Sequence, residues 1–155
     1  MIELQILKDS LTKKKGILNQ IEAENLNQEN ALKAEQVSFD DFEAIVDKKT
    51  GLIDDLNKLD SGFETVYDRI KDNLLANKDK FKLEIEGFKI LISEITELSV
   101  SIQAQEVRNK ALVDKYFKKS HDDIRTERIR AKSTYDFMNR MTNQEVAPRF
   151  MDTKK

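Results

Sequence analysis

Cysteine and tryptophan are missing from this 155-residue sequence, proline occurs once and glycine four times. Without cysteine there is neither a disulfide framework nor a thiol nucleophile, and the chain suits a reducing compartment. The glycines, at Gly16, Gly51, Gly62 and Gly87, stand alone, so no glycine-rich loop exists to cradle a phosphate. The single histidine, His121, would face Phe117, Ile124 and Arg125 on a helix, and adjacent Asp122 and Asp123 would point elsewhere. No metal site and no cofactor are expected from it. Long apolar runs are absent as well: none exceeds three residues, as at Ile90-Leu91-Ile92, far short of a membrane span. Met1 to Lys8 has no basic start or apolar core of a signal peptide. These absences lead to the expectation of a cytoplasmic protein without membrane insertion. Paired acids such as Asp54-Asp55 fall on an acidic helix face, and no serine sits in a nucleophile elbow, so no catalytic residue is expected and the chain is read as a non-enzyme.

What is present is charge and helical periodicity. Charged residues make up 36% of the chain and aromatics 7%, a balance typical of long helices with few breakers. From about Ile2 to Gln36, Leu4, Leu7, Leu11, Leu18, Ile21 and Leu32 fit a heptad seam whose remaining positions are Lys14, Asn25 and Gln28. Polar residues in such a seam lower stability and fix register. Gly16 inside this helix marks a local bend or a close approach. Ser38, followed by Asp40 and Asp41, reads as an N-cap with acids in the first turn, so the second helix starts at Phe39. Its seam runs Phe42, Ile45, Lys49, Leu52, Leu56, Leu59, Phe63, Val66 and Ile70. Every step is three or four, and the phase survives Asp60-Ser61-Gly62, which predicts a helix that crosses this stretch and turns near Asn77-Lys78-Asp79.

The third helical pattern is the longest, from about 80 to 139, with Phe81, Ile85, Phe88, Ile92, Ile95, Ile102, Val113, Tyr116, Ile124, Ala131, Tyr135 and Met138 on one face. Apolar residues fill 18 of the 37 positions from Phe81 to Phe117 but only 7 of the 24 from Lys118 to Met141. The broad first stripe suits a helix that touches two others, whereas the narrow second one can bury little within the chain. The expectation is an all-α fold: a single domain over 1–141, built as an elongated antiparallel three-helix bundle with helices at about 2–36, 39–77 and 80–139. The long C-terminal helix then extends past its neighbours, or its last 20–25 or so residues fold back. Pro148 stops helix, and residues 142–155 are expected to form a disordered tail.

Charge follows the same division. From Arg108 onward there are 13 Lys/Arg against 7 Asp/Glu, while the first 107 residues carry 14 against 22. Asp122, Asp123, Glu127 and Asp136 interrupt the basic segment, so it neutralises phosphates poorly and nucleic acid is not the expected partner. An exposed narrow stripe instead suits docking against a partner helix. The contact residues singled out are Phe117, Ile124, Ala131, Tyr135, Phe137, Met138 and Met141, whose methionines add adaptable area. Self-association as a homo-oligomeric coiled-coil adaptor without a client would use the same face.

The run from Asp47 through Gly51-Leu52-Ile53-Asp54-Asp55-Leu56 to Gly62-Phe63-Glu64 resembles the middle of FlgN-type flagellar export chaperones of clostridia. The endings Tyr135-Asp136-Phe137-Met138-Asn139 and Pro148-Arg149-Phe150-Met151-Asp152 are similar to their C-termini. The resemblance implies a cytoplasmic type III export chaperone that holds helical terminal segments of flagellar hook-associated (FlgK/FlgL-type) junction proteins. It also implies contact with a component of the export gate through a tyrosine, for which Tyr116 and Tyr135 are the candidates. The mixed charge of Lys118–Lys132 departs from the more polar ends of enteric members.

Overall fold

The computed structural model describes residues 1–119, and over them the chain is all helical: α1 spans Ile2–Lys33, α2 Phe39–Ala76 and α3 Lys82–Lys119. None of these helices is long and apolar enough to cross a membrane. The expected continuation to residue 139 and the tail 142–155 lie outside the described residues.

Every position of the α1 seam is buried, the polar Lys14, Asn25 and Gln28 included. The helix stops at Lys33, short of the expected Gln36, because Leu32 is the last seam residue that finds cover and Glu35 and Gln36 are exposed. Gly16 is not a point of close approach: a Cβ there would meet no atom within 4 Å. At the start of α2, the Ser38 hydroxyl accepts the Asp41 amide at 3.3 Å, and the Phe42 amide bonds the Ser38 carbonyl at 3.1 Å. The first satisfies a first-turn amide that otherwise has no partner, and the second is the first regular hydrogen bond of the helix. α2 runs unbroken through Asp60-Ser61-Gly62. Its seam slips by one residue in the middle, with Ile53 buried and Leu52 half-buried. The turn to α3 covers residues 77–81, where the Asn77 side chain donates to the Asn73 carbonyl at 2.9 Å and the Lys80 and Phe81 amides bond the Asn77 carbonyl.

The three helices divide into two compact units. The first takes Met1–Asn19 from the start of the chain and Asp54–Ser99 from the α2–α3 hairpin. Its buried apolar side chains among the described residues are Leu4, Leu7, Leu11, Leu18, Leu56, Phe63, Ile70, Leu74, Phe81, Phe88, Ile92 and Ile95, with Lys14 and Ser99 as the buried polar ones. Lys14 is the buried cation of this unit, held by Asp60 at 2.6 Å, and burial pushes the Asp60 carboxyl above its usual value although Lys14 pulls it back.

The second unit takes Gln20–Ile53 and α3 from Val100 onward. Here α1 and α3 run in the same direction, since Glu22, Asn25 and Gln28 bond Ser101, Gln105 and Asn109 in rising order. α2 runs against both: Lys49 bonds Glu106 while Phe39, ten residues earlier, meets Phe117. Among the described residues its core holds Ile21, Leu32, Phe42, Ile53, Ile102 and Val113 as buried apolar side chains, together with Asn25, Gln28, Lys49, Glu106 and Asn109.

Candidate functional site

Polar side chains fill the middle of the second unit. The Lys49 ammonium donates to Glu106 Oε1 at 2.9 Å and to Gln28 Oε1 at 3.0 Å, and Asn109 Nδ2 donates to the same Gln28 oxygen at 3.2 Å and to the Asn25 carbonyl at 2.9 Å. With both Lys49 and Asn109 as donors on it, the Gln28 oxygen has its orientation fixed by chemistry. At the margin, Asn25 Nδ2 donates to Gln105 Oε1 at 3.1 Å and Ser101 donates to Glu22 Oε2 at 2.6 Å. Asn25 Oδ1, Gln28 Nε2 and Glu106 Oε2 are buried without a hydrogen-bond partner. Burial drags the Lys49 ammonium below its ordinary pKa, and the nearby Glu106 carboxylate offsets only part of that. Side chains of α1, α2 and α3 meet in this arrangement, and directional bonds of this kind align the three helices.

The chain direction in this unit brings the end of α1, the start of α2 and the last turns of α3 to one place. Phe39 lies 6.0 Å from Phe42 and meets Phe117 edge-on at 6.2 Å, and Tyr116 packs edge-on to Phe117 at 5.0 Å. Beside these rings opens a cavity of about 390 Å³. Leu32, Ala34, Val37, Leu112 and Tyr116 give it an apolar lining, and Lys33, Lys115, Lys119 and Glu35 complete its wall. Lys33 is steadied by Glu29 at 2.7 Å, a contact that lowers the Glu29 carboxyl pKa, and it sits in the last turn of α1, where a cation suits the helix dipole. With three lysines and one glutamate beside five apolar residues in its lining, the hollow suits an apolar side chain that carries a carboxylate nearby. Among the described residues no three His, Asp or Glu side chains gather as a metal ion needs.

Of the residues singled out from the sequence, Tyr116 and Phe117 are described, and both are half-buried. Tyr116 lines the cavity, and Phe117 spends part of its ring on Phe39. Ile124, Ala131, Tyr135, Phe137, Met138 and Met141 lie outside the described residues, as does His121. Sequence reading missed Glu106 and Asn109, which are buried on α3 between Ile102 and Val113. The signal was there: an eleven-residue gap between two apolar seam residues is filled by steps of four, three and four. It also missed the cavity, whose walls come from stretches about eighty residues apart in sequence. Comparison with family models, with curated proteins and with solved structures returned no match.

Proposed function

We infer that this chain is a binding protein of the export-chaperone kind. It takes a helical terminal segment of a FlgK/FlgL-type junction protein and presents it to the export gate. The observation that supports the reading is the cavity at Tyr116, lined by lysines and apolar residues and placed where α3 leads into the sequence with Ile124, Ala131, Tyr135 and Met138. A client helix lying on that segment would reach the cavity with its end, where an apolar residue beside an acid would meet Leu112 and Lys115. Phe117 and the segment's stripe form the rest of the contact, and Phe137 and Met141 extend it. Tyr116 and Tyr135 remain the candidates for the gate contact.

Light scattering of the protein mixed with a peptide from a junction protein's terminal helix tests this. The mass is expected to rise by one peptide per chain, and Tyr116→Ala is expected to weaken binding about tenfold, the size of an aromatic anchor. A stable dimer whose mass ignores the peptide would replace this reading with the homo-oligomeric adaptor.

A further inference from the structure

The outer faces of α2 and α3 are unlike. Along α2, Asp47, Asp54, Ser61 and Asp68 follow at intervals of seven and are all exposed, as suits a solvated helix face. On α3 an exposed line is apolar. Val100 and Val107 are 62% and 63% exposed, and Ala104 and Ala111, on the same line, are exposed too. Single exposed valines are ordinary, but four apolar residues at steps of four, three and four make a continuous strip.

Two features of the strip select what fits it. Its spacing reads the same from either end, while its side chains alternate large and small. A copy of α3 turned end for end therefore sets each valine on an alanine: Val100 on Ala111 of the second copy and Ala104 on Val107 of the second copy. Both contacts recur across a two-fold axis, and large side chains meet small ones as close helix packing requires. Charge is the second feature. From Lys82 to Ser99, α3 carries four acids and two bases; from Val100 to Lys119 it carries five bases against Asp114 and the buried Glu106. An antiparallel copy lays the acidic half on the basic half, whereas a parallel copy would lay like on like. One pairing is mismatched in this register: Glu97 and Asp114 of the second copy, both exposed, come opposite each other at the ends of the strip.

We propose that α3 pairs with α3 of a second copy of this chain, antiparallel about a two-fold axis level with residues 105 and 106, through Val100, Ala104, Val107 and Ala111. Four apolar side chains per copy make a small interface, so the pair forms and parts with concentration. The pairing goes beyond the client reading and does not rest on it, because its test contains no client.

Full-length chain supplies the test, by sedimentation over a concentration series that reaches the millimolar range. The mass is expected to rise from one chain to two, and a monomer at every concentration would leave the strip to a different occupant and overturn the pairing. Val107→Lys exchanges an exposed residue for a better helix former, so the fold is expected to melt as before while the dimer is lost. A dimer that survives this change overturns the proposal. Asp114→Lys turns the mismatch with Glu97 into two ion pairs per dimer and is expected to tighten association about tenfold. Weaker association would show that the register is wrong. Orientation is read from one spin label per chain at Ser93→Cys, helped by the absence of native cysteine. Antiparallel pairing separates the two labels by about 38 Å at 1.5 Å per residue. A distance near the interaxial spacing of about 10 Å would mean parallel helices and overturn the two-fold.

Discussion

The two units are built from the same three helices, yet they are held together by different physics. Among the described residues of the first, twelve apolar side chains are buried and one cation, Lys14, is buried with them, its partner Asp60 keeping its carboxylate partly in water. Among those of the second, six buried apolar side chains share the core with five polar ones, and the ion pair of Lys49 and Glu106 is fully enclosed. Apolar burial is non-directional, so the first unit is stabilised by area and tolerates small shifts. Hydrogen bonds to a shared oxygen are directional, so the second unit is aligned by geometry and gains less from burial. The lesson is that one continuous helix can carry stability in one stretch and register in the next.

The largest test of this contrast is to break the enclosed pair. Lys49→Met leaves Glu106 buried with no cation, and a loss of about 3–5 kcal/mol in urea unfolding is expected. Lys49→Met with Glu106→Leu removes both charges, and its stability is expected to equal or exceed that of the parent, by up to about 4 kcal/mol. A double variant as weak as the single would mean that the pair contributes net stability and that the contrast is wrong.

An intermediate effect appears with pH. The folded state holds the Lys49 proton less tightly than the unfolded chain does, so between the lowered folded value and the ordinary lysine value the unfolded chain binds more protons. Stability should therefore rise with pH in that window, relative to the double variant, and level off above it. Asp60 behaves oppositely in acid. Its carboxyl titrates higher when folded, so stability should fall as pH climbs from the ordinary value near 3.9 to the raised one, and Asp60→Asn should flatten that slope. Unfolding measured across both ranges checks the two signs together.

The smallest effect expected is a gain. An alanine Cβ at Gly16 meets nothing within 4 Å, so Gly16→Ala should stabilise the first unit by up to about 1 kcal/mol through helix propensity alone. A loss on thermal melting would show that α1 needs the glycine for some bend.

How much of this could be read from the sequence depended on whether polar residues were admitted to a seam. In α1 they were, and Lys14, Asn25 and Gln28 all lie in the core where the spacing put them. In α3 only apolar residues were followed, and Glu106 and Asn109, two of the five residues of the polar layer, passed unseen. Local signals placed the second helix start at Phe39 and the α2–α3 turn, since Ser38 and Asn77 act on amides and carbonyls a few residues away. Neither the Ile53-for-Leu52 exchange nor the cavity was accessible in that way. Both depend on which neighbour a side chain meets across the fold, which periodicity along one helix does not encode. Tyr116 was singled out from a resemblance, and its place in the cavity wall comes from the packing of α1 and the α1–α2 connection around it.

Gln28 Oε1 has one further consequence. Because a side chain from α2 and another from α3 both end on this oxygen of α1, sliding any helix by a heptad would take the Lys49 ammonium off at least one of its acceptors. An all-leucine seam would accept such a slip at little cost. In this half of the molecule the hydrogen bonds thus single out one alignment of the three helices.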